Sequence, residues 1–225
     1  MTVRPPVRGE SAAWHRMQRR FHLGLLSAGS LYAETGTTLM DLVFAAGIFI
    51  TATGMAIPVL TTGLNASRTK SAALYMGSRL RAARVEAVRR SRTVGIRFAA
   101  LDDGYEFSAY ADGNGNGIRN AEIRAGIDFP IGEVERLEHQ FGGVIFGIAR
   151  ATPGIEGDEG LLPGGDAIRI GRTNILSFTP SGTATPGTLY ICGRGGMQYA
   201  VRVLGATGRT RVLVFDDAQR RWVTR

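Results

Sequence analysis

Glu34-Thr35-Gly36-Thr37-Thr38-Leu39-Met40-Asp41 opens onto residues 42–67, a run in which no side chain is charged. A membrane-spanning helix takes ~20 predominantly apolar residues, so the run is long enough to cross a bilayer. A conventional secretory signal has a shorter apolar core, and its small-residue cleavage site follows that core. Here the small residue, Gly36, stands before the apolar run and the carboxylate of Asp41 stands at its head. Cleavage at Gly36 would therefore leave the apolar segment in the mature chain.

Three features share one register: Gly36, a carboxylate at the fifth residue after it (Asp41) and a proline at the twenty-second (Pro58). This combination resembles the type IV prepilin signal. The resemblance implies that a prepilin peptidase cuts between Gly36 and Thr37 and methylates the new amino terminus at Thr37. The residue usual at the fifth position is Glu; Asp41 keeps its charge on a shorter arm.

Residues 1–36 then read as a leader peptide. Its Arg16, Arg19 and Arg20 place it on the cytoplasmic side by the positive-inside rule. Residues 37–92 read as one long helix, transmembrane in its first half (about 42–64). Thr37 or Thr38 stands near the N-cap, and Asp41 lies in the first turn, where the helix dipole favours an anion. Pro58 removes one backbone donor and predicts a kink. Beyond residue 67, Ala73, Met76, Leu80, Ala83 and Ala87 recur at steps of three and four. That spacing predicts an apolar stripe able to pack on a sheet. Glu86 and Arg90 stand at ion-pairing distance along the helix.

After Arg92 the period changes from helical to alternating. Val94-Gly95-Ile96-Arg97-Phe98 and Tyr105-Glu106-Phe107-Ser108-Ala109-Tyr110 predict two strands around an Asp102-Asp103-Gly104 turn. Strands are predicted again at 144–148, 174–178, 188–192, 199–204 and 211–215. A run of strands after one long helix predicts an α+β domain over residues 93–225, with the helix lying on an antiparallel β-sheet. Residues 124–173 carry little periodicity, and 151–165 read as a Gly/Pro/acidic loop.

The passage Leu80-Arg81-Ala82-Ala83-Arg84-Val85-Glu86-Ala87-Val88-Arg89-Arg90 into Val94 is similar to the helix-to-strand passage of the GspH/FimT family. So are Phe178-Thr179-Pro180-Ser181-Gly182 and Thr207-Gly208-Arg209-Thr210-Arg211. These are minor pilins and pseudopilins of type II secretion and type IV pilus machines. The likeness covers most of residues 36–215. It implies a pilin-like fold, other pilins or pseudopilins of a filament tip as partners, and a single-pass inner-membrane protein with a periplasmic C-terminal domain. For Asp41 it implies a role in assembly, through the amino terminus of a neighbouring subunit. A carboxylate at the centre of a membrane helix costs ~2.5–3.5 kcal/mol, less near the interface, so a retained one calls for a partner.

FimT-like members associate a C-terminal Gly-Arg-x-Arg motif with DNA capture in natural transformation. By this likeness Arg209 and Arg211 are candidate DNA contacts, and two arginines on one hairpin face suit two phosphates. A DNA-binding minor pilin is thus the alternative to a structural pseudopilin. A membrane-anchored binding domain with no filament is a third reading.

The formal net charge of +8, from 27 Lys and Arg against 19 Asp and Glu, agrees with an anionic partner but does not select one. No enzyme signature is present. His15, His22 and His139 are scattered, Gly113–Gly117 lacks the Lys-Ser/Thr of a phosphate loop, and no cofactor is expected. Asp112-Gly113-Asn114-Gly115-Asn116-Gly117 resembles a calcium loop in its first half. The bidentate Glu belongs at position 123, which is Ile, so the stretch reads as a tight turn and no metal site is expected. The lone Cys192 excludes an intrachain disulfide and reads as a buried strand residue.

Overall fold

The structure, a computed structural model, describes residues 38–155 and 160–224, without the side chains of residues 55–58. Gly36 and Thr37 lie outside them. Helix α1 runs over Leu39–Arg90 and continues through position 58. By its internal contacts the chain divides between Thr53 and Gly54.

The described part of the first unit, residues 38–53, is the start of α1. Leu42, Val43, Phe44, Ile48, Phe49 and Ile50 are all exposed there. Among the described residues α1 alone is long and apolar enough to cross a membrane.

The second unit holds the rest of α1 and the strands. The helix ends at Ser91, which adopts φ 51; the Ser91 amide returns to the Val88 carbonyl and that of Arg92 to Ala87. This left-handed termination satisfies carbonyls that the helix end would otherwise leave without donors. Two antiparallel sheets follow. The first is built on β1 (Val94–Leu101) and β2 (Gly104–Ala111), paired from Val94↔Ala111 to Leu101↔Gly104. A short helix α2 (Asn120–Arg124) leads to β3 (Phe129–Pro130) and β4 (Glu135–Arg136), which pair with successive parts of β2. Helix α3 (Leu137–Gln140), β5 (Val144–Phe146) and β6 (Ile168–Arg169) come next. Then β7 (Ile175–Phe178) returns to pair with β1. The second sheet is completed by β8 (Gly187–Gly193), β9 (Gln198–Leu204), β10 (Arg209–Asp216) and β11 (Arg221–Thr224). Its order is β11-β10-β9-β8-β5, with β6 also on β8.

The expected single sheet is therefore two. They share a core through Phe146 of β5, whose ring meets Phe98 and Phe107 of the first sheet edge-on, at 5.6 and 6.0 Å. The predicted helix stripe holds: Ala73, Met76, Leu80, Ala83 and Ala87 are all buried, joined by Thr69 and Ala72. On the second sheet the approach is close. A methyl carbon on Gly77 would fall 3.0 Å from Val212 Cγ2, and one on Gly193 only 1.9 Å from Thr69 Oγ1. On the first sheet the helix is tied by polar contacts, since Tyr75 and Arg79 both donate to Glu135 of β4. Cys192 is buried in β8, and burial pushes its thiol up.

Candidate functional site

Asp41 sits in the first turn of α1, and its carboxylate is engaged by its own chain. The Thr38 amide donates to Asp41 Oδ2 at 3.2 Å, and the Asp41 amide donates to Thr38 Oγ1 at 3.4 Å. The Thr38 carbonyl accepts the first helical bonds, from Asp41 and Leu42. This reciprocal pair is a capping box with Asp in place of Glu. Thr38 starts the helix, and the anion lies where the dipole favours it. The spacing Thr-x-x-Asp carried this signal in the sequence, where the place of Asp41 in the first turn was read through the dipole and its role in assembly through the resemblance.

Arg209 and Arg211 open β10, one residue apart, and both are exposed. Gly208 fixes the turn before them. It adopts φ +60, its amide donates to the Leu204 carbonyl at 2.8 Å, and an added methyl would fall 2.5 Å from the Gly182 carbonyl oxygen. Arg211 stands opposite Arg202 of β9, Arg202 opposite Thr188 of β8, and Thr188 opposite Arg169 of β6. Partners directly across a ladder share a face, so Arg169, Arg202 and Arg211 form one cross-strand row. Arg202 also donates to Thr188 Oγ1 at 3.0 Å. Among the described residues the Arg209 and Arg211 side chains make no ion pair or side-chain hydrogen bond. The sequence reading brought Arg209 and Arg211 together; their alignment with Arg169 needed the sheet.

The Asp112 loop is built as a turn. Asp112 Oδ1 accepts from the amides of Asn114 and Gly115 and Oδ2 from Gly117, at 2.7–3.0 Å. Asp128 likewise accepts the Gly113 and Arg119 amides. Burial opposes the charge on Asp112, yet the amides aimed at it outweigh burial and hold the carboxyl below its usual range. Gly113 must be glycine, because a methyl there would meet the Ile127 carbonyl oxygen at 1.9 Å. No group of three or more His, Cys, Asp or Glu among the described residues is placed to hold a metal ion.

On the helix, Glu86 meets Arg89 as well as the expected Arg90; hydrogen bonds from the two guanidiniums hold its carboxyl down to about 2.

A long helix that is apolar at its start and packed farther on against antiparallel sheets gives the chain a pilin-like α+β fold. The sequence pattern of the family described as type II transport protein GspH matches residues 72–208, more than half of the chain, and the chain belongs to that family. The family is one of structural subunits, not enzymes. Among solved structures the chain is similar to the minor pseudopilin EpsH from the Type 2 Secretion System of Vibrio cholerae. The identity is 19%, the match covers 64% of this chain and 94% of that one, and the TM-score is 0.41. No curated protein matches the chain.

Proposed function

We propose that the chain is a minor pseudopilin of a type II secretion machine, anchored in the inner membrane by the start of α1. It works by assembling into a filament and turns over no substrate. The single observation that carries this reading is the family match over the domain that packs the second half of α1. The exposed apolar start of the same helix supports the anchor. In this reading residues 1–36 are a leader removed by a prepilin peptidase after Gly36, and Thr37 becomes a methylated amino terminus. Residues 37–92 form the helix, bent at Pro58, and residues 93–225 the periplasmic domain. Asp41 meets the amino terminus of a neighbouring subunit in the filament. Mass spectrometry of the protein isolated from its native membranes tests the scheme. The expected amino terminus is N-methylated Thr37; any other sinks the processing reading.

A second reading, DNA binding, is favoured by one observation: Arg209 and Arg211 are exposed and make no ion pair or side-chain hydrogen bond among the described residues, and Arg211 stands opposite Arg202. The full chain in detergent would then bind duplex DNA with a salt-dependent affinity. Arg209→Ala with Arg211→Ala would reduce the slope of log affinity against log salt by about 2, since each lost phosphate contact removes close to one counterion. Unchanged binding and slope in the double variant would remove the proposed contacts.

A further inference from the structure

The turn between β2 and α2 places a glycine after an acidic or amide residue three times in succession: Asp112-Gly113, Asn114-Gly115 and Asn116-Gly117. Asparagine is a labile side chain, and glycine after it leaves the next backbone nitrogen unshielded by a Cβ. Once that nitrogen loses its proton to hydroxide, it can attack the side-chain carbonyl carbon. The new N–Cγ bond closes a cyclic imide, the Cγ–Nδ2 bond breaks, and ammonia leaves with a proton from water. Water then opens the imide to aspartate or isoaspartate, so each conversion consumes one water and releases one ammonia.

The turn cannot shed this hazard by losing its glycines. Gly115 and Gly117 adopt φ +85 and +89, the left-handed region that favours glycine. Asn114, Gly115 and Asn116 are exposed, so water reaches them. All three glycine nitrogens are instead held by carboxylates. Gly115 N donates to Asp112 Oδ1 and Gly117 N to Asp112 Oδ2, both at 2.7 Å. Gly113 N donates to Asp128 Oδ1 at 3.2 Å. Asp112 and Asp128 are buried, so water competes little for these bonds. Taking the proton from such an amide breaks a charge-assisted hydrogen bond and sets a second negative charge beside the first. The nitrogen is thereby kept from acting as a nucleophile. Conversion would also damage the turn. Asn116 Nδ2 donates to Glu122 Oε1 at 2.8 Å, and an aspartate at 116 would set two carboxylates at that contact. An isoaspartate at either position would add a backbone atom to the turn.

We propose that Asn114 and Asn116 form a latent self-modification site, held silent by the two oxygens of Asp112 and converted to aspartate or isoaspartate when the turn opens. The chemistry needs neither processing at Gly36 nor assembly into a filament. The test measures aspartate and isoaspartate at positions 114 and 116 by peptide mapping of the full chain. Samples are incubated in mildly alkaline buffer, in detergent with and without urea. The folded parent is expected to convert at least tenfold more slowly than the parent in urea. Asp112→Ala, shown by circular dichroism to stay folded at the incubation temperature, is expected to lose that protection at both asparagines. Asp128→Ala loosens the same turn at Gly113 but leaves both Asp112 contacts, and is expected to convert close to the parent rate. Asp112→Ser, whose short neutral oxygen cannot hold both amides, serves as the second variant should the alanine chain fail to fold. Equal rates for the folded and urea-treated parent overturn the proposal. So does a parent rate at both asparagines in the serine variant or in the folded alanine variant. Acceleration in Asp128→Ala equal to that in Asp112→Ala overturns it in favour of general loosening of the turn.

Discussion

Gly193→Ala is expected to destabilise the strand-bearing unit by about 1–3 kcal/mol, the usual cost of forcing extra carbon into a packed interior. For a domain of this size that lowers the unfolding midpoint by roughly 2–4 °C per kcal/mol. The added methyl would stand 1.9 Å from Thr69 Oγ1, 3.1 Å from its Cβ and 3.2 Å from its Cγ2. Rotating Thr69 in one sense brings its methyl group into the same space, and in the other it moves the hydroxyl and the methyl together within a buried site. Rotation would also alter the bond from Thr69 Oγ1 to the Asn65 carbonyl at 2.8 Å. Thr69 is fully buried, so α1 itself must move off β8. Thr69→Ala removes Oγ1 and Cγ2, the atoms at 1.9 and 3.2 Å, and leaves only the 3.1 Å contact with Cβ. The double variant is therefore expected to recover most of the loss, a coupling that a double-mutant cycle in thermal or urea unfolding measures directly. A neutral Gly193→Ala would mean that α1 does not dock on β8 as described.

The same contact shows where sequence reading reaches and where it stops. The stripe Ala73, Met76, Leu80, Ala83 and Ala87 was legible because a helix buries residues at a fixed period, and all five are buried. Thr69 and Gly77 extend that face but are polar or small, so periodicity of apolar residues passes over them. β1, β2, β8, β9 and β10 are long enough to show a strand pattern, and each was anticipated within a few residues. Residues 124–173 were largely opaque for a physical reason, although the strand expected at 144–148 is present as β5. Their strands are two or three residues long, below one full alternation, and are held by partners distant in sequence. β11 was missed likewise, being four residues long after a turn in which Arg220 adopts φ 47. The division into two sheets had no local signature, since pairing partners are chosen across the fold. The Asp112 turn was legible from chemistry: Asp, Asn and Gly tolerate its conformations, and the wrong residue at 123 argued against calcium. At the candidate site the residue types were visible, but the hydrogen bonds joining Thr38 to Asp41 and the alignment of Arg169 with Arg211 depend on geometry.

Asp41→Ala is expected to abolish incorporation into the filament, and two companion substitutions separate the causes. Alanine removes the capping contact with the Thr38 amide and the anion near the positive end of the helix. Those losses are worth about 1 kcal/mol and 0.3–1 kcal/mol respectively. They would fray the first turn without dissolving a helix of 52 residues. If Asp41 also meets a neighbour's amino terminus, alanine strands a buried cation, a loss of about 2–5 kcal/mol and so well over tenfold in assembly. Asp41→Asn keeps an oxygen able to accept from the Thr38 amide but carries no charge, so it should preserve the helix start while assembly still fails. Asp41→Glu restores the length usual at this position in the pilin-like signal and should assemble as the parent does. Crosslinking of the subunit to other pseudopilins in native membranes reads assembly; circular dichroism of the detergent-solubilised chain reads the helix. Asn and Ala failing together while Glu succeeds assigns Asp41 a charge-dependent contact between subunits. Asn assembling like the parent would reduce Asp41 to the cap of its own helix, because only the charge, and not the hydrogen bond, distinguishes the two roles.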